Sequence, residues 1–142
     1  MAQHFSTWTI DRSIPSELLS GRGILDEVLS RLQAEGWTTR ELFGIRLALE
    51  EAVVNAIKHG NRLDKEKQVH VICNSTADKI QIQISDEGPG FDPKLVPDCT
   101  DAEHLDVPNG RGILLMRNFM SLVKYNERGN VVVMEKLRNS AG

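Results

Sequence analysis

The longest periodic stretch of the chain lies between residues 42 and 57, where Leu42, Ile45, Leu49, Ala52, Val53, Ala56 and Ile57 recur at steps of three and four. That spacing is the apolar stripe of a helix laid on a core. Ahead of it, Thr38-Thr-Arg-Glu41 has the form of a capping box, and Gly60 behind it reads as a left-handed C-terminal stop. Glu51, Asn55 and His59 stand four apart along the border of the stripe, so their side chains are expected to stack on one edge of the helix. An earlier helix is expected over residues 15–35, with Leu18, Leu25, Val28, Leu29 and Leu32 as its stripe, Pro15 in its first turn and Gly36 as its stop. Gly21 and Gly23 each weaken that helix by about 1 kcal/mol relative to Ala, which predicts a bend.

Elsewhere the period is two. Residues 5–10 are aromatic and β-branched and suit an opening strand that ends before Pro15. Residues 69–73 and 79–86 alternate on either side of a turn at 74–78, and residues 121–125 and 131–137 do the same around 126–129. A third helical run begins at Ile113. The order β-α-α-β-β-loop-α-β-β predicts an α+β fold of two layers, a mixed but mostly antiparallel sheet covered on one face by about three helices.

At 142 residues and 40% apolar content, the chain is expected to form one domain, 1–142, with a sizeable core. Its net charge of −3 and dispersed Lys and Arg argue against a nucleic-acid partner. No apolar run nears the ~18 residues that cross a bilayer, and the first residues lack the basic start and apolar centre of a secretion signal. No membrane association and a cytoplasmic location are therefore expected. Cys73 and Cys99 stand far apart without paired ligands and read as free thiols.

Candidate chemistry begins at the end of the second hairpin strand. Ile80, Ile82 and Ile84 share a face, and parity puts Asp86 on that same, core-directed side. A carboxylate aimed there needs a donor from the protein or from a ligand. Gly88 and Gly90 follow, completing Asp86-x-Gly88-x-Gly90, and such glycines let a ligand approach the backbone. Residues 91–109 carry Pro93, Pro97 and Pro108 and no sustained period, the composition of a lid. Gly110-Arg-Gly112 then opens the third helix, where N–H groups at the positive end of the dipole suit phosphate. The pentapeptide Gly-Arg-Gly-Ile-Leu also occurs at 21–25, so a glycine pair alone carries little weight. Only the second copy follows a lid and a D-x-G-x-G.

Taken in order, Glu51-Ala-Val-Val-Asn55, Asp86-Glu-Gly-Pro-Gly90 and Gly110-Arg-Gly112 resemble the N, G1 and G2 boxes of the GHKL ATPase superfamily. The stretches 49–60, 90–93 and 112–116 are most similar to the small anti-sigma factor serine kinases of that superfamily, and the resemblance covers residues 8–137. It implies that Asp86 accepts a hydrogen bond from the adenine amino group of ATP and that Gly88 and Gly90 admit the base and ribose. It further implies that Asn55 holds Mg²⁺, that Gly110, Arg111 and Gly112 offer N–H donors to the phosphates beneath the lid, and that Glu51 acts as general base toward the attacking hydroxyl. The implied function is that of a protein-serine kinase which phosphorylates an anti-anti-sigma antagonist and sequesters a sigma factor. The alternative is an ATP-responsive partner-switching module with little or no phosphoryl transfer, and homodimerisation is left open.

Overall fold

The computed structural model describes residues 7–89 and 110–138. Among the described residues nine elements follow one another: β1 (Trp8–Pro15), α1 (Leu18–Ala34), α2 (Thr39–Val54), a π-helical turn (Asn55–Gly60), β2 (Gln68–Ser75), β3 (Lys79–Ser85), α3 (Gly110–Phe119), β4 (Leu122–Tyr125) and β5 (Val131–Leu137). The strands form one sheet in the order β1-β2-β3-β5-β4. Its pairings, β1 with β2, β2 with β3, β3 with β5 and β4 with β5, are all antiparallel, so the mostly antiparallel sheet expected from the sequence is wholly so among the described residues.

Alternation decides which face is covered. Ile80, Ile82 and Ile84 of β3 pair with Ser75, Cys73 and Val71 of β2 on one side and with Lys136, Met134 and Val132 of β5 on the other. All of these except Lys136 are buried, and α1, α2, the π turn and α3 add Val28, Leu32, Ile45, Leu49, Ile57 and Met116 to the same core. A fully buried aliphatic side chain contributes about 1.5–3 kcal/mol, so this inner layer holds the helices to the sheet. Cys73 lies within it as a free thiol, and burial pushes its pKa up to about 12. Cys99 and the expected lid at 91–109 lie outside the described residues.

Helix ends show where local chemistry rules. Thr38 caps α2, its Oγ1 accepting from the Glu41 N–H at 3.1 Å while the Glu41 carboxylate accepts from the Thr38 N–H at 2.9 Å. Gly36 closes α1 at φ +88°, as its position after the stripe predicts. Three expectations need correcting. β1 runs on through Pro15, and α1 begins at Leu18 behind Glu17, so Pro15 ends a strand instead of opening a helix. α1 continues unbroken past Gly21 and Gly23. A Cβ at Gly21 would sit 2.8 Å from Val53 Cγ1, so this glycine serves the approach of α1 to α2 and not a bend.

The third correction concerns the end of α2. Gly60 is not in the left-handed region, and the backbone instead takes φ of +53° at Arg62 and +60° at Leu63. Before that, the helix widens into a π turn, with the Asn61 N–H bonded to the Ala56 carbonyl at 2.9 Å. Glu51, Asn55 and His59 therefore do not continue as one α-helical row, because Asn55 is already the first residue of the wider turn.

Candidate functional site

Glu51 stands one turn before the end of α2, half-buried. Burial raises the pKa of its carboxyl, the neighbouring His59 lowers it, Glu50 raises it and Lys58 lowers it. The carboxylate lies directly against the start of α3: a Cβ built on Gly112 would fall 1.9 Å from Glu51 Oε1. Only a glycine lets these two segments meet so closely. Gly110 and Arg111 occupy the same first helical turn by their backbone.

Asn55 is buried at 7% exposure, and its Nδ2 has no hydrogen-bond partner among the described residues. An N–H donor left so costs roughly 1–3 kcal/mol and calls for an acceptor oxygen. The Asn55 side chain stands against Tyr125 of β4. Burial pushes that phenol above its ordinary range, the Asn55 amide works the other way, and Glu51 and Asp86 add to the upward shift while Arg117 opposes it. The tyrosine hydroxyl thus stands within electrostatic reach of both site carboxylates.

Asp86 follows the last residue of β3 and is half-buried on the helix side, as parity predicts. Burial raises its pKa to about 6, against a lowering by the Gly88 N–H, which donates to Oδ1 at 2.9 Å, and by Arg128 and Lys67. Its backbone is fixed to the β4–β5 turn through Asn130, whose carbonyl accepts from the Asp86 N–H at 2.9 Å. Gly88 is buried against Gly60, whose carbonyl oxygen would be 2.0 Å from a Cβ at that position. Gly90 lies outside the described residues.

The structure therefore brings Glu51 to Gly112, Asp86 to Gly60 and Tyr125 to Asn55. His59 remains close enough to Glu51 to influence its charge. Two residues of the site lie outside the sequence motifs. Val123 and Tyr125 fall on the inward parity of β4, with Leu122 and Lys124 exposed, and Tyr125 is the only tyrosine of the chain. Asn61, wholly buried, holds the base of the site together with no signal beyond its place after Gly60. Its amide donates to Ser16 Oγ at 2.9 Å and the Gln68 carbonyl at 3.0 Å, and accepts from the Glu87 N–H at 2.8 Å. No group of three His, Cys, Asp or Glu side chains able to hold a metal exists among the described residues. No described helix is long and apolar enough to cross a membrane.

On the far edge of α2 lies a groove of about 290 Å³, lined by Leu18, Leu19, Leu25, Val53 and Ile57 among others, with Arg22 and Glu50 at its polar margin. It is separate from the cluster around Asn55.

The family model described as histidine kinase-like ATPase domain matches residues 14–136. The chain is 35% identical over 109 residues to an anti-sigma F factor of Clostridium perfringens, covering 72% of this chain and 77% of that protein. It is 31% identical over 123 residues to the serine-protein kinase RsbW of Bacillus subtilis, covering 81% and 74% of the two chains. To the serine/threonine-protein kinase BtrW of Bordetella bronchiseptica it is 30% identical over 94 residues, 65% of this chain and 66% of that one, just under two thirds of the kinase's length. Among solved structures, one of the RsbU and RsbW domains of a Mycobacterium tuberculosis protein superposes on 95% of this chain with a TM-score of 0.59 at 16% identity. This chain spans 34% of that longer one, and the likeness speaks for the fold.

Proposed function

The chain belongs to the histidine kinase-like ATPase domain family, and from that premise we propose that it is an ATP-dependent protein-serine kinase of the anti-sigma type. It phosphorylates a serine of an anti-anti-sigma antagonist and holds a sigma factor when the antagonist is modified, acting in the cytoplasm. The names of its relatives, two serine kinases and an anti-sigma F factor, support this reading. The observation that carries the chemistry is the contact between the Glu51 carboxylate and Gly112 at the start of α3. A phosphate chain bound at a helix N-terminus is stabilised by the backbone N–H groups and the dipole there. Gly110, Arg111 and Gly112 offer that end, so the terminal phosphate would lie beside Glu51.

Glu51 then serves as general base. A serine hydroxyl entering the cleft gives its proton to the carboxylate as its oxygen forms the bond to the terminal phosphorus and the bond to the ADP oxygen breaks. Burial raises the proton affinity of Glu51 above that of an ordinary carboxylate, which suits a base. Asp86, a pure acceptor when ionised, takes the adenine amino hydrogen, with Gly88 admitting the base. Adenine then supplies a donor to the carboxylate beside the Gly88 N–H.

The residues present fit one Mg²⁺. Asn55 is a buried carboxamide whose side-chain oxygen could face the ion, and a single protein oxygen beside phosphate oxygens and waters is an ordinary share for Mg²⁺. When bound, the ion neutralises charge that develops on the phosphates. The chain's own contribution is to hold that amide in place at the head of the π turn.

The test is phosphotransfer from labelled ATP to the cognate antagonist, run beside a nucleotide-binding assay. Glu51→Gln keeps the shape but cannot take a proton, so transfer is expected to fall by ~10²–10⁴-fold with ATP affinity close to wild type. Undiminished transfer would remove Glu51 as the base, and no transfer from wild type to any cognate antagonist would remove the kinase reading.

A further inference from the structure

The π turn Asn55–Gly60 and the loop Asp86–Gly88 meet without room for one added methyl group. A Cβ on Gly60 would lie 2.3 Å from Asp86 Cγ, 2.4 Å from Oδ2 and 2.6 Å from Oδ1. A Cβ on Gly88 would in turn lie 2.0 Å from the Gly60 oxygen. Carbon atoms in contact normally stand about 3.5–4.0 Å apart, so either addition forces a displacement of an ångström or more. The next residue locks the same corner. Asn61 holds the Glu87 N–H at 2.8 Å while also gripping Ser16 and the Gln68 carbonyl, and the Glu87 carboxylate accepts from the Gln68 N–H.

Gly60 is free of the left-handed conformation that would otherwise account for a glycine after a helix. The three atoms nearest to its missing Cβ all belong to the Asp86 carboxylate. We infer that Gly60 is the positioning residue for Asp86, setting where the base-reading carboxylate stands and thereby which nucleobase the site accepts. This rests on the adenine role proposed above for Asp86. The physical reason is the narrow tolerance of hydrogen bonds: an acceptor moved by an ångström from a donor at ~2.9 Å no longer bonds it. The Gly88 N–H also holds the carboxylate at 2.9 Å, so Asp86 cannot yield to a Cβ and keep both that bond and its aim. Because Asn55 opens the turn that Gly60 closes, one rigid piece of chain sets both the metal-holding amide and the base-reading acid.

The experiment measures ATP and GTP affinities by calorimetry, with Mg²⁺ and with excess chelator, for wild type, Gly60→Ala and Asp86→Asn. Both variants are expected to lose the preference for ATP over GTP by roughly tenfold or more, the scale of one charge-assisted hydrogen bond. The added affinity that Mg²⁺ gives is expected to persist in Gly60→Ala. A merely structural role for Gly60 would weaken both nucleotides alike and leave their ratio unmoved. If Asp86→Asn loses the preference and Gly60→Ala keeps it, the inference is overturned and the adenine role stands. If Asp86→Asn keeps the preference, the adenine role falls and the inference with it. Should Gly60→Ala unfold, thermal melts of Gly60→Ala, Asp86→Ala and the double variant decide the matter. The inference expects the double variant to fold and Gly60→Ala to cost at least twice as many degrees in wild type as in the Asp86→Ala background. Equal costs, or a double variant that also fails to fold, would overturn it.

Discussion

The pentapeptide Gly-Arg-Gly-Ile-Leu stands at residues 21–25 inside α1 and again at residues 110–114 where α3 begins. The first copy brings Gly21 against Val53, the second brings Gly112 against Glu51, and positions two apart on a helix point to nearly opposite sides. One glycine lets two apolar helices close on each other. A glycine of the other copy, at the third position instead of the first, lets a helix start reach a carboxylate. The same five letters thus do packing on one edge of α2 and, by the proposal above, chemistry on the other. What separates them is position in the helix: Gly21 lies in an interior where backbone N–H groups are bonded to carbonyls, while Gly112 lies in a first turn whose N–H groups have no carbonyl one turn before them in the helix.

The sharpest way to break this contrast is to add the same methyl group to both copies. At Gly112 the methyl would stand 1.9 Å from Glu51 Oε1, and the carboxylate must swing away or the first turn of α3 must shift. A misplacement of that size near reacting groups costs about a hundredfold in rate. Gly112→Ala is therefore expected to lower phosphotransfer by about that factor while the protein remains folded by circular dichroism. A rate near wild type would mean that the contact does not matter to the reaction.

The two copies also mark how far local pattern reaches. Strand parity, the capping box at Thr38 and the stop at Gly36 were legible because each depends on neighbours within a few residues, and the structure reproduces them. The core direction of Asp86 followed from alternation in the same way. Gly60 misled, because its helix-end rule competes with a constraint from Asp86, 26 positions later, that no local pattern records. The left-handed turn moved to Arg62 and Leu63, where non-glycine residues bear a cost of roughly 1–2 kcal/mol each. Such strain is kept where the surrounding fold demands it, and here the demand comes from the close approach of Gly60 and Gly88. The Asn61 network was hidden for a related reason, since its partners Ser16, Gln68 and Glu87 come from three separate segments.

At Gly21 the expected effect is smaller and of another kind. The added methyl would meet Val53 Cγ1 at 2.8 Å and Ile57 Cδ1 at 3.1 Å, both side-chain atoms in a packed layer. Overpacking of this kind costs about 1–3 kcal/mol, and Ala regains up to about 1 kcal/mol of helix propensity, so a net loss is expected. Urea denaturation of Gly21→Ala should show a lower midpoint, with phosphotransfer per folded molecule unchanged. A loss of transfer comparable to that of Gly112→Ala would erase the distinction between the two edges of α2.

Gly23 gives the smallest effect and the opposite sign. It lies in the interior of α1, exposed, and a Cβ there would meet nothing within 4 Å. No contact is strained by the substitution, so what remains is the backbone entropy that a glycine loses on entering a helix. Replacing it by Ala is expected to raise stability by roughly 0.5–1 kcal/mol, seen as a higher urea midpoint with an unchanged slope. Phosphotransfer should stay at the wild-type rate, because Gly23 touches none of the residues around Asn55. Gly23 corresponds to Gly112 in the repeated pentapeptide, so the pair Gly23→Ala and Gly112→Ala tests one substitution in one local sequence with opposite outcomes. A drop in stability would place an unseen constraint on the exposed face of α1, and a drop in transfer to the antagonist with stability raised would mean that this face meets the protein substrate.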